Sequence, residues 1–171
     1  MNITVYLGAL QGNDPVLKDA VKELGTWIGE NNHTLIYGGS KSGLMGYIAE
    51  SVLNAGGTAI GIEPQFFIDE ELQYDGLTEL IITQDMIELG DAFIAFPGGT
   101  GTLEEISEVM SKISLKQLNA PCIFYNLNDY YKGMKELMSH MIEMGLSTHE
   151  KQKGIYFADH LDEIKNIIEK E

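Results

Sequence analysis

Apolar residues in this chain fall in two alternating patterns. Short continuous runs occupy positions 3–7, 34–37, 58–62, 80–83, 92–96 and 121–125. Between them, apolar residues recur at helical spacing: Leu17, Val21, Leu24 and Ile28, then Leu103, Ile106, Val109, Met110 and Ile113. Continuous runs bounded by turn residues predict strands buried on both faces, and a 3.6-residue period predicts helices with one packed face. The predicted helices cover about 15–31, 44–55, the stretch to about 118, 130–144 and 161–170. Asp14 before Pro15 reads as a cap followed by the preferred first helical residue. Positions 155–157 read as a weak edge strand, and 64–76 as irregular and acidic.

Strands alternating with helices predict an α/β fold. The expectation is a single Rossmann-like doubly wound domain over 1–171, with a mostly parallel sheet and helices on both faces. No repeat, low-complexity stretch or linker divides the chain. In such sheets a ligand sits at the C-terminal ends of the strands. Three glycine-rich turns fall there: 8–12, 38–43 and 98–101.

The third turn carries the most chemistry. Pro97-Gly98-Gly99-Thr100-Gly101-Thr102-Leu103-Glu104-Glu105 follows one strand and opens one helix. Glycines at a helix start leave backbone N–H groups free, and with the helix dipole they suit a phosphate. A carboxylate read in that first turn is out of place as a phosphate ligand. Glu105 therefore reads as a reactive group beside the phosphate, although glutamate near any helix start is also favourable by itself. No lysine follows Gly101, so this is not a P-loop, and Glu104 replaces the third glycine of a dinucleotide fingerprint. The second turn, Gly38-Gly39-Ser40-Lys41-Ser42-Gly43, repeats the geometry with two hydroxyls and an ammonium.

Charge narrows the partners. The 171 residues carry 26 acidic and 11 basic side chains, a net charge of −15. All 11 basic residues are lysine, so no guanidinium clamp is available. This balance excludes nucleic acid and anionic membrane as expected partners. No apolar run spans a bilayer. The first residues, lacking a basic region, read directly as a strand, so a cytoplasmic protein is expected. The lone Cys122 sits in an apolar run and reads as a buried thiol. His33, His140, His149 and His160 lack ligand spacing, and no metal is expected. Met134, Met138, Met141 and Met144 read as a core or dimer face, and Glu104 and Glu108 as solvated helix residues.

The two later turns together resemble the LOG family of cytokinin riboside 5′-monophosphate phosphoribohydrolases, many of them once called lysine decarboxylases. Tyr37-Gly38-Gly39…Gly43-Leu44-Met45-Gly46 and the stretch from Pro97 to Glu105 carry the resemblance, together with 61–64, 91–95 and 126–131. It implies a Rossmann-like homodimer that hydrolyses the N-glycosidic bond of adenine or cytokinin nucleoside 5′-monophosphates without metal or organic cofactor. By the same resemblance Glu105 is the catalytic glutamate. Gly98, Gly99, Thr100, Gly101 and Thr102 hold phosphate and ribose. Gly8, Ala9, Gly38, Gly39 and Ser40 line the two earlier loops, Glu71 contacts substrate, and Ser111 supplies a hydroxyl. The chain departs from the family after Gly8, where Ala9-Leu10 stand in place of two serines, and more consequentially before the fifth strand. An Arg-Lys pair belongs on a helix before the fifth strand, and here Gln84-Asp85-Met86-Ile87-Glu88-Leu89-Gly90-Asp91 runs through without it. That departure keeps a second expectation open: a non-catalytic nucleotide or molybdenum-cofactor binding protein on the same fold.

Overall fold

The computed structural model describes residues 1–63, 73–82 and 86–170. Seven strands form one sheet: β1 (Asn2–Tyr6), β2 (Thr34–Tyr37), β3 (Thr58–Glu63), β4 (Glu79–Ile82), β5 (Ala92–Ala95), β6 (Cys122–Tyr125) and β7 (Ile155–Ala158). Their order is β4-β3-β2-β1-β5-β6-β7, and every pairing is parallel. The expected mostly parallel sheet is thus parallel throughout its described strands. The weak segment near 155 is a full edge strand, paired with β6 from Ile155 to Ala158.

Side-chain alternation along the strands builds two cores. Ile3, Val5, Leu35, Tyr37, Ile94 and Phe96 face one side. Helices α1 (Pro15–Glu30), α2 (Gly43–Asn54) and α5 (Leu161–Ile168) cover that side. Tyr6, Ile36, Phe93, Ala95, Cys122 and Phe124 face the other. Ile106, Val109 and Ile113 of α3 (Thr100–Ser114) and Met134 of α4 (Lys132–Glu143) pack against them. Both faces need covering because the strands are apolar on both, as their continuous runs predicted. Cys122 is wholly buried in this second core.

Two boundaries differ from expectation. Helix α3 stops at Ser114, and Lys116 takes a left-handed φ of 58° that the following turn requires. Helix α4 starts at Lys132 rather than Tyr130, because a tight turn at Leu127–Asp129 places Asn128 and Asp129 at φ 51° and 60°. Asparagine and aspartate tolerate that region better than other side chains.

The chain order creates the site. From β1 it steps through β2 and β3 to β4, then returns past β1 to β5 and steps the other way. Helix α1 leaves β1 on one face and α3 leaves β5 on the other. The loops after these adjacent strands diverge, opening a crevice at the switch point.

Candidate active site

The loop after β5 leaves a helix start without a side-chain cap. Gly99 is the N-cap of α3 and has no side chain to cap it. The first intrahelical bond runs from Leu103 N to Gly99 O at 3.1 Å. The amides of Thr100, Gly101 and Thr102 precede it and lack a partner within the helix. A Cβ on Gly99 or Gly101 would meet nothing within 4 Å, so these donors border open space. Gly98 is the opposite case: a Cβ there would lie 2.2 Å from Thr102 Oγ1. Its bare Cα lets the loop fold down on the buried Thr102. Helix α1 contrasts with α3, because its own Asp14 carboxylate accepts from Val16 N at 3.0 Å and already satisfies that helix start.

Two tyrosines brace the loop from below. The Tyr130 hydroxyl donates to Gly98 O, and the buried Tyr131 hydroxyl donates to Phe96 O at 2.8 Å. Tyr131 N in turn donates to Asn126 Oδ1 at 2.7 Å, and Asn126 Nδ2 donates to Asp159 Oδ1 at 2.8 Å. Tyr130 and Tyr131 thus pack at the sheet end, and their hydroxyls reach the backbone at and just before the glycine turn.

The first two loops interlock. Gly43 has a φ of 53°, and a Cβ there would lie 2.1 Å from Ala9 O. Any side chain would push the loop after β1 away from the start of α2. Ser40 Oγ accepts from Ser42 N at 3.1 Å, so it shapes its own turn. Ser42 caps α2 by position without a side-chain bond.

These loops enclose a cleft of about 1300 Å³, large enough for a nucleotide-sized ligand. Gly8, Ala9, Gly38, Ser40, Gly98, Gly99, Thr100, Gly101, Thr102 and Glu105 all line it. Gly39 lies just behind the lining, buried against Glu63. Ser111 is exposed and sits away from the lining, more than a turn further along α3. The expectation for Glu71 falls outside the described residues. Glu104 and Glu108 are exposed as expected, yet both border the cleft.

Glu105 stands in the second turn of α3, not the first, which holds no acidic residue. The free amides therefore precede it, and its carboxylate does not cover them. Burial lifts its pKa to about 7, and the neighbouring Glu104 charge adds to the rise. Such a group is poised for proton transfer near neutrality.

The charged side chains of the lining are all acidic: Asp14, Glu63, Glu104 and Glu108 join Glu105, and among the described residues no lysine does. The donors that the lining offers are backbone amides and hydroxyls. Where the family's Arg-Lys pair was expected, Met86 and Ile87 are buried, and Gly90 N bonds Ile87 O before the chain enters β5. Among the described residues, no three His, Cys, Asp or Glu side chains converge as a metal site. No helix among them is long and apolar enough to cross a membrane.

The glycine turn, Glu105 and the two earlier loops lie on one rim of one sheet. The family described as "Possible lysine decarboxylase" matches residues 45–168. The chain belongs to this family. Among its relatives is the cytokinin riboside 5′-monophosphate phosphoribohydrolase of Rhodococcoides fascians, 38% identical over 155 residues, covering 86% of this chain and 78% of that protein. The LOG1 phosphoribohydrolase of Arabidopsis thaliana is 33% identical over 174 residues, covering 98% and 82%. Among solved structures, the Moco carrier protein of Chlamydomonas reinhardtii superposes with a TM-score of 0.73 at 19% identity, covering 99% of this chain and 98% of that one. At that identity the match shows the fold alone.

Proposed function

We propose that this member of the LOG-type family hydrolyses the N-glycosidic bond of adenine or cytokinin nucleoside 5′-monophosphates, releasing free base and ribose 5-phosphate. The carrying observation is Glu105, its pKa lifted to about 7, one turn beyond an uncapped helix start in a nucleotide-sized cleft. A pure anion binder gains nothing from a carboxylate there. The relatives named as phosphoribohydrolases support the same reading.

The chemistry follows from the arrangement. The 5′-phosphate docks on the amides of Thr100, Gly101 and Thr102, fixing the sugar beside Glu105. Breaking the C1′–N bond builds positive charge on the ribose, and a carboxylate alongside stabilises it. Water adds to C1′ and gives a proton to Glu105. The base leaves with the electron pair of the broken bond and takes up a proton. Exposed apolar residues Leu115, Leu137, Met144 and Leu146 favour a homodimer as the working form.

The lack of a cationic side chain among the described cleft residues favours one other reading, a non-catalytic binder of a nucleotide or molybdenum cofactor. Adenine release from AMP and from isopentenyladenosine monophosphate, with Glu105→Ala in parallel, separates the two. Release that vanishes in the variant supports the hydrolase. Nucleotide binding without release from either substrate supports the binder.

A further inference from the structure

Glu63 ends β3 and lines the same cleft, yet nothing above uses it. Only 3% of the residue is exposed. Its Oε2 is buried with no hydrogen-bond partner among the described residues. A buried polar atom without a partner costs stability and calls for an explanation. Tyr37 OH does not supply one, because it donates to Ser40 O, 3.4 Å away.

The surroundings make room for this carboxyl. Gly39 has a φ of 75°, and a Cβ there would lie 3.0 Å from Glu63 Cγ and 3.1 Å from Oε1. A glycine in the second loop thus leaves the space the Glu63 side chain fills. Burial raises the Glu63 pKa from its ordinary value, in the direction of the neutral acid. A neutral carboxyl carries one acceptor and one donor on adjacent atoms.

Position decides which part of a ligand it meets. Between β3 and β5 lie β2 and β1. Three strand spacings of ~4.8 Å put the ends of β3 and β5 about 14 Å apart. With phosphate on the turn after β5, the ribose lies between and the base lies toward β3.

Building on the phosphoribohydrolase reading of the cleft, we infer that Glu63 reads the base, pairing with a heteroaromatic edge that offers an exocyclic N–H beside a ring nitrogen, as a 6-aminopurine does. A singly alkylated amine keeps one N–H and keeps the pairing. A doubly alkylated amine loses it and leaves Oε2 without a partner.

The test is calorimetric binding of AMP, N6,N6-dimethyl-AMP and ribose 5-phosphate to the wild-type chain, Glu63→Gln and Glu63→Leu. Wild type is expected to prefer AMP over the dimethyl analogue by about 10- to 100-fold, the scale of one unsatisfied buried polar group. Glu63→Gln keeps that preference, because a carboxamide also carries an acceptor beside a donor. Glu63→Leu loses it, and ribose 5-phosphate binds all three alike. A preference that survives in Glu63→Leu would trace to steric exclusion and overturn the inference, as would equal loss of AMP and ribose 5-phosphate. If Glu63→Leu does not fold, equal binding of AMP and the dimethyl analogue by wild type overturns it instead. Base release with no effect of Glu63 defeats this inference alone. The expected preference in a protein that releases no base defeats only the hydrolase reading.

Discussion

The Tyr131 hydroxyl donates to the Phe96 carbonyl at 2.8 Å, joining the start of α4 to the end of β5 across 35 residues of sequence. Phe96 immediately precedes the glycine turn, so this bond holds the turn against the sheet. Tyr131 is buried, and burial raises its pKa well above the ordinary phenol value, which keeps the proton on the oxygen for donation.

Tyr131→Phe removes the donor and leaves a buried carbonyl unpaired. The expected cost is about 1–3 kcal/mol in urea unfolding. Base release falls with it, through a higher KM for nucleotide, because the phosphate turn loses its brace. An unchanged unfolding midpoint would show that the bond is not what fixes the turn.

The glycines of the turn divide by what surrounds them. Gly98→Ala drives a Cβ to 2.2 Å from Thr102 Oγ1, and overpacking of this kind costs about 1–3 kcal/mol. Gly101→Ala meets nothing in the free protein, so its melting temperature stays close to wild type. Phosphate-dependent binding still weakens in Gly101→Ala, since the added methyl enters the space beside the free amides. Thermal melts with and without AMP check both halves.

On the proposed mechanism, activity follows the ionisation of Glu105. As the proposed proton acceptor it works as the carboxylate, so kcat/KM rises through pH 7 and levels above it. Removing the neighbouring charge with Glu104→Gln moves this rise to lower pH. The displacement is partial, because burial is the larger cause. A pH–rate profile of both proteins reads the shift directly.

Stability responds to the same group with the opposite sense. The folded pKa of Glu105 is raised to about 7 from an ordinary 4.5, so its contribution is fully present below 4.5 and is lost as pH rises through 7. Glu105→Gln removes the titration. Its stability matches wild type in acid and exceeds it above pH 7, by a margin on the order of 1–3 kcal/mol. Parallel melts at pH 4.5 and pH 8 measure the difference. An equal offset at both values would mean that charge burial is not its source.

Much of this was legible in the residues themselves. Continuous apolar runs such as that ending at Phe96 mark strands buried on both sides, because a parallel sheet covered by helices leaves no polar face. The 3.6-residue spacing of Ile106, Val109 and Ile113 marks the packed side of α3 in the same way. Glycines between such a strand and such a helix mark the candidate anion site, since helix starts carry free amides wherever they occur. Glu105 stands out because its residue type conflicts with that site.

Tertiary structure decided what depends on neighbours distant in sequence. That Glu105 belongs to the second turn, with its pKa lifted by burial, follows from where α3 begins and what covers it. That Gly43 fits under Ala9 and Tyr131 reaches Phe96 depends on strand order, which local periodicity does not encode. Glu63 is the clearest case. In the sequence it is one acidic residue closing an apolar run, the ordinary mark of a strand reaching solvent. Only the packing of β3 beside β2 sets it over Gly39 and buries its oxygen inside the cleft, because burial is a property of the assembled sheet and not of any one segment.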